Sequence, residues 1–271
     1  MNKIRKIGII GAGNMGEALI AGFLKSKAYS PQDIYCSEII EKRREYITNT
    51  YHIECFDDAK KLVEHSDLII IAVKPYNVKD VLESVGKKIT AEKTLVSIAA
   101  GIRLDFIRKN LPEDVPIIRV MPNLACFVRE GMMAICSSDN TPKEKLEAVE
   151  EVLSLLGKVI ILDEKYFDAV TGLVGSGPAY IYLIIEALSD AGVRLGLPRD
   201  VAMTLSAQTT LGAGKMVVET GEHPAKLKDK VVTPGGTTIE GLIELERGRV
   251  RAALIDAVIR ASERAKELSK A

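Results

Sequence analysis

The chain has 271 residues, 47% of them hydrophobic and 27% charged, enough to fill one large core or two ordinary ones. Its 37 basic residues balance 37 acidic ones, so it lacks the surplus that marks a binder of nucleic acid or anionic membranes, and neither is expected as a partner. No run approaches the ~18 consecutive apolar residues of a membrane span, and the basic start at Lys3, Arg5 and Lys6 leads into a glycine-interrupted strand rather than a signal-peptide core.

The first element is a strand over Ile4 to Ile10, and it ends in Gly11-Ala12-Gly13-Asn14-Met15-Gly16 where a helical pattern over Met15 to Lys25 begins. Strand, glycine turn and helix in this order predict a dinucleotide site. Gly11 allows the tight turn, Gly13 lets the backbone approach a pyrophosphate, and Gly16 lets the helix pack on the strand. The free N–H groups at the helix start then face the phosphates.

Further strands are predicted over Ile34 to Cys36, Leu68 to Val73, Thr94 to Ala99, Ile117 to Met121, Met132 to Ile135 and Val159 to Leu162. Helical patterns over Ile39 to Thr48, Lys60 to Glu64 and Lys143 to Leu156 lie between several of them. This alternation predicts an α/β, Rossmann-type domain over residues 1–163, with a parallel sheet and ligands beyond the carboxyl ends of its strands. The remainder, 164–271, reads as all helix, strongest at Pro178 to Leu195, Arg199 to Val218, Thr238 to Glu246 and Arg249 to Ser269. From Leu183 onward there is no aromatic residue, and the helices are rich in Ala, Gly, Ser and Thr. Such slim helices bury too little apolar surface within one subunit, which predicts a dimer or larger assembly.

Four cysteines, Cys36, Cys55, Cys126 and Cys136, have no CxxC spacing, and His52, His65 and His223 form no ligand motif. The expectation is a reduced, cytoplasmic protein without metal, its cysteines serving as small apolar fillers.

Three constellations carry chemistry. Ser37 and Glu38 end the second strand, roughly twenty positions past the glycine turn, where an acidic residue holds the adenosine ribose hydroxyls. Lys42, Arg43 and Arg44 follow closely and could instead meet a 2′-phosphate, so NADH and NADPH both stay open. Ala72-Val73-Lys74-Pro75 and Ser97-Ile98-Ala99-Ala100 place small or chain-bending residues at strand exits, where backbone could line a nicotinamide pocket. In the helical half, Gly175-Ser176-Gly177-Pro178 and Thr233-Pro234-Gly235-Gly236-Thr237-Thr238 read as helix starts with free N–H groups for an anion. Consecutive N–H groups from Gly235 to Thr238 would form a nest for a substrate carboxylate.

General-base machinery is sparse, since the helical half offers only His223 among histidines. Reduction of an imine suits such a site, because an iminium carbon is already electrophilic and positioning does most of the work.

GAGNMG at Gly11 to Gly16, AVKP at Ala72 to Pro75, VGSGPAY at Val174 to Tyr180, GLP at Gly196 to Pro198 and LKDKVVTPGGTTIEGL at Leu227 to Leu242 together resemble the pyrroline-5-carboxylate reductases, essentially end to end. The resemblance implies an NAD(P)H-binding Rossmann domain and a helical domain that interlocks with a second subunit. It also implies a homodimer, with decamers common as the larger assembly, and reduction of 1-pyrroline-5-carboxylate to L-proline, the last step of proline synthesis. Gly235, Gly236, Thr237 and Thr238 would hold the substrate carboxylate, with Thr238 near the ring nitrogen as proton relay and Ser176 in the same pocket. Gly11, Ala12, Gly13, Asn14, Met15, Gly16, Ser37, Glu38, Ala72, Val73, Lys74, Pro75, Ile98, Ala99 and Ala100 would bind NADP or NAD. Leu124-Ala125, Val174, Val232, Ala59 and Glu38 depart from the family's usual residues. A reductase of another cyclic imino acid and a non-catalytic NAD(P)H sensor are the alternative readings.

Overall fold

The structure, a computed structural model, describes residues 4–269. Among them a sheet of eight strands runs β3-β2-β1-β4-β5-β6-β7-β8. The strands are β1 (Ile7–Ile10), β2 (Ile34–Ser37), β3 (Glu54–Phe56), β4 (Leu68–Ile71), β5 (Thr94–Ser97), β6 (Ile117–Met121), β7 (Gly131–Ser137) and β8 (Gly157–Ile161). Helices α1 (Asn14–Ser26), α2 (Glu41–Tyr51), α3 (Ala59–His65), α4 (Val78–Val85), α5 (Leu104–Arg108) and α6 (Lys143–Ser154) accompany it. The order from β3 to β6 is the doubly wound one, which reverses direction between β1 and β4 and opens a crevice there.

Both faces are covered at the central strands β1, β4, β5 and β6, every residue of which is buried, so these strands read as near-continuous apolar runs rather than alternating ones. One core gathers Ile7, Ile9, Leu19, Phe23, Ile34 and Ile118, and another gathers Ile69, Ile71, Leu82, Val85, Leu95 and Ile117. Each fully buried side chain of this size contributes about 1.5–3 kcal/mol. The pairing is parallel except that β6 and β7 are antiparallel. The link from Pro122 to Glu130 explains this, since a parallel crossover needs roughly a dozen residues or more.

The sequence does not announce β3, a three-residue edge strand that begins with an exposed glutamate. It pairs with β2 so that Cys36 lies opposite Cys55, their Cα atoms 4.5 Å apart and their sulfurs bonded. The expectation of four reduced cysteines is therefore wrong for these two. It holds for Cys126 and Cys136, which are free and buried. Burial pushes their thiols up to about 11 and about 12.

The chain forms two compact units: one runs through Ser176 and includes the chain from Arg260 onward, and the other is Gly177–Ile259. In the first, α7 (Phe167–Val170) continues through a π-helical turn at Thr171–Gly175. The second contains α8 (Gly177–Arg194), α9 (Arg199–Thr220), α10 (Pro224–Val231), α11 (Thr237–Arg247) and the start of α12 (Val250–Leu268). Helices α8 and α9 pack through small residues. A Cβ on Gly192 would come within 2.9 Å of Ala202, and Ser189, Ala202 and Ser206 are buried. Leu183 and Val218, by contrast, are 66% and 73% exposed, and Tyr182, Leu205, Leu211, Ile255 and Ile259 are also open to solvent. Among the described residues, Glu164–Arg194 is long and apolar enough to cross a bilayer by length and composition.

Candidate nucleotide and substrate sites

The glycine turn is built as its spacing predicts. Gly11 has φ +97°, a conformation open to few residues but glycine, and its N–H donates to the Ser37 carbonyl at 2.8 Å. A Cβ on Gly16 would lie 2.0 Å from the Gly11 carbonyl oxygen, so any side chain there would force α1 away from β1. Gly13 faces open space, with nothing within 4 Å of where its Cβ would sit. It is the N-cap of α1, and no side chain caps the helix there. The first N–H groups of α1 are thus free of side-chain acceptors and lie behind an exposed, side-chain-free backbone, an arrangement that fits a pyrophosphate.

Glu38 folds back onto this turn. One carboxylate oxygen accepts the Ala12 N–H at 3.0 Å and the other accepts the Ile40 N–H at 3.0 Å. The Glu38 N–H donates to the Phe56 carbonyl, so β3 supports the turn from below. Ser37 is buried at the end of β2. The basic residues that follow are mostly engaged elsewhere. Arg43 donates Nε to the Ala12 carbonyl at 2.6 Å and forms an ion pair with Glu17, while Arg44 donates to the Glu38 carbonyl at 2.7 Å. Lys42 is exposed. The sequence pointed to neither Glu17 nor the adjoining Ile39 and Ile40, apolar side chains that are 82% and 61% exposed beside Glu38.

Strands β4 and β5 bring the other residues predicted for the nucleotide to the same sheet end. The Ala72 N–H still donates to the Ile10 carbonyl at 2.8 Å, and that of Ile98 to Ile71 at 3.1 Å, after which each chain turns away. Val73 lies against Gly11, Lys74 is exposed, and Pro75 opens a short 3-10 turn. Ile98 and Ala99 are buried, and Ala100 is half-buried. A cavity of about 710 Å³ lies elsewhere on this unit, lined by Leu104, Arg108, Asn140 and Asp163. None of the predicted site residues lines it.

In the second unit the Thr233–Thr238 segment turns at Gly235, φ +65°, and leads into α11 with Gly236 as N-cap. No side chain caps this helix either. The expected run of free N–H groups needs one correction, since that of Gly236 donates to the Thr233 carbonyl at 3.0 Å. Thr237 and Thr238 open the first helical turn, where backbone donors have no acceptor within the helix. Thr238 is half-buried and Thr237 exposed.

Gly175-Ser176-Gly177-Pro178 is not a free helix start. The helical chain runs through it, and the Ser176 N–H donates to the Thr171 carbonyl at 3.0 Å. A π-helical turn, a distortion frequent at functional sites, ends at Gly175 just before Ser176. Among the described residues no group of three or more His, Cys, Asp or Glu could hold a metal ion.

A family model described as pyrroline-5-carboxylate reductase dimerisation matches residues 164–268. A second, NADP oxidoreductase coenzyme F420-dependent, matches residues 6–101. The chain is 45% identical to a pyrroline-5-carboxylate reductase of Methanosarcina acetivorans, over 98% of both chains. It is 43% identical to one of Arabidopsis thaliana, over 98% of this chain and 96% of that one. Its structure superposes with a TM-score of 0.89 on the Plasmodium falciparum pyrroline carboxylate reductase with NADP bound, at 32% identity and 99% coverage of each chain. With relatives this similar along nearly its whole length, the chain belongs to the pyrroline-5-carboxylate reductase family.

Proposed function

We propose that the protein reduces 1-pyrroline-5-carboxylate to L-proline with NAD(P)H, the last step of proline biosynthesis. The observation that carries this reading is the pairing of an uncapped, glycine-opened helix start at Gly11 to Gly16 with a second one at Gly235 to Thr238 in a chain of this family. The first suits a pyrophosphate and the second a carboxylate. When bound, the reduced nicotinamide supplies the hydride that turns the ring CH=N carbon into a CH2 of proline.

The chain's own residues bind and orient. Gly11, Ala12, Gly13, Asn14, Met15 and Gly16 hold the phosphates, Ser37 and Glu38 the ribose, and Ile39 offers an apolar face to the adenine. Ala72, Val73, Lys74, Pro75, Ile98, Ala99 and Ala100 line the nicotinamide end. Gly235, Gly236, Thr237 and Thr238 take the substrate carboxylate, the Thr238 hydroxyl hydrogen-bonds the ring nitrogen and relays its proton, and Ser176 is the second residue assigned to the reaction. No strong base is needed, because the C=N carbon accepts hydride as the ring nitrogen takes up a proton, once cofactor and imine are positioned.

The nucleotide domain is residues 1–163 and the substrate and dimerisation domain 164–271, a division supported by the end of β8 at Ile161 and the start of the dimerisation match at residue 164. The working form is a cytoplasmic homodimer that builds a decamer and needs neither nucleic acid nor membrane. The exposed apolar side chains of α8, α9 and α12 are its subunit surface rather than a lipid-facing one. Ring size tests the substrate: kcat/KM for 1-pyrroline-5-carboxylate should exceed that for the six-membered imino acid. A preference for the larger ring would reassign the enzyme.

A further inference from the structure

Glu17 stands one residue past Gly16, in the first turn of α1. An acidic residue there is ordinary, since it complements the helix dipole. Its surroundings are less so, because three donors from α2 converge on its carboxylate. Tyr46 and Tyr51 hydroxyls donate to one oxygen at 3.0 and 2.8 Å, and the Arg43 guanidinium pairs with the other. Burial pushes this carboxyl up, but the bonds from Arg43, Tyr51 and Tyr46 outweigh it and hold the group below the usual range, so it is charged. Arg43 is held three ways, by Glu17, by the Ala12 carbonyl and by the Tyr46 ring, whose centre is 4.9 Å from its guanidinium carbon.

These contacts bear on the ribose end of the site. A ribose with free hydroxyls needs an acceptor, which Glu38 supplies, whereas a 2′-phosphate needs cations and is repelled by a carboxylate. Of the three basic residues after Glu38, Arg43 and Arg44 are bound to protein oxygens. We propose that Glu17 is a specificity-determining positioning residue, which retains Arg43 against the glycine turn and thereby keeps its guanidinium from pairing with a 2′-phosphate beside the Glu38 carboxylate, selecting NADH over NADPH. The proposal rests on the reading of Gly11 to Gly16 as the nucleotide site.

The test is titration of the intrinsic fluorescence of NADH and NADPH, with kcat and KM for both, in the native protein, Glu17→Gln, Arg43→Ala and the double variant. The native protein should bind NADH at least about tenfold more tightly than NADPH, the scale of one charge-assisted hydrogen bond. Glu17→Gln should tighten NADPH about tenfold, as a lower Kd and KM, with the NADH Kd within about twofold; Arg43→Ala added to it should abolish the gain. Damage that is only structural would weaken both cofactors alike. If Glu17→Gln does not fold, Arg43→Ala alone decides, because a retained Arg43 predicts an NADPH-to-NADH Kd ratio within about twofold of native. A tenfold loss of NADPH affinity alone in that variant, or a native preference for NADPH, overturns the proposal while leaving the nucleotide site intact. Binding of neither cofactor overturns both together.

Discussion

The carboxylate of Glu38 accepts the main-chain N–H of Ala12 at 3.0 Å. This bond ties the residue after β2 to the glycine turn after β1, so the acid proposed for the ribose and the backbone proposed for the phosphates are joined directly. Replacing Glu38 by Ser removes both the charge and the tie. The expected outcome is a shift of the kcat/KM ratio toward NADPH by at least about tenfold, the size of one charged hydrogen bond. An unchanged ratio would remove Glu38 from the ribose site.

Thr238 opens α11 and is half-buried. If its hydroxyl passes a proton to the ring nitrogen, Thr238→Ala lowers kcat by about a hundredfold, the usual contribution of a positioned acid, while Thr238→Ser retains most activity. A kcat within about twofold of native in Thr238→Ala would confine the residue to packing.

The Cys36–Cys55 bond joins the two strands whose ends carry Glu38 and the carbonyl of Phe56 that supports it. Alkylation of the unfolded protein should modify two cysteines without reductant, Cys126 and Cys136, and all four after reduction. Cys55→Ser should cost about 3 kcal/mol in urea unfolding, from the chain entropy of a loop of this length. Four free thiols without reductant would contradict the bond.

Arg119 is buried in β6, pairs with Glu164 at 3.0 Å, and lies over the Phe167 ring. Its Nε and one terminal nitrogen have no hydrogen-bond partner among the described residues. Glu164 also accepts the Leu104 N–H at 2.8 Å, so one carboxylate joins three segments. Glu164→Ala should destabilise by about 3 kcal/mol, because it strands a buried guanidinium. A loss below about 0.5 kcal/mol, the level of a surface pair, would show the site to be hydrated.

Asp33 is held down to about 2 by the hydroxyl and N–H of Ser30 and by Lys6. A carboxyl depressed in the folded state contributes stability above its unfolded value near 4, and that contribution is lost as pH falls through about 2. The native protein should therefore exceed Asp33→Asn in stability at pH 6 by about 1 kcal/mol, after allowance for solvent screening, and by little at pH 2. A difference independent of pH would exclude the carboxylate as its source.

Where local geometry dictates residue type, the sequence was legible. Gly11 must take a positive φ and Gly16 must admit a carbonyl, so the glycine turn could be placed from spacing alone. The Gly235 turn and the helix after it were legible for the same reason. Relationships made by strand register and packing were not. Cys36 meets Cys55 only because β3 pairs in that register, and β3 itself is too short for a period. Arg43 reads as one of three basic residues until α2 is laid against α1. Arg119 sits inside an apolar run with nothing to mark its burial among Glu164 and Phe167. The glycines before Pro178 read as a helix start, whereas continuous helix runs through them with a π-helical turn ending at Gly175.

The most direct measurement is NADH and NADPH oxidation in parallel, with 1-pyrroline-5-carboxylate as substrate and the product identified by mass. The account predicts turnover, L-proline formed in equal amount to cofactor oxidised, and a higher kcat/KM with NADH. Cofactor binding without oxidation, or oxidation that yields no proline, would contradict it.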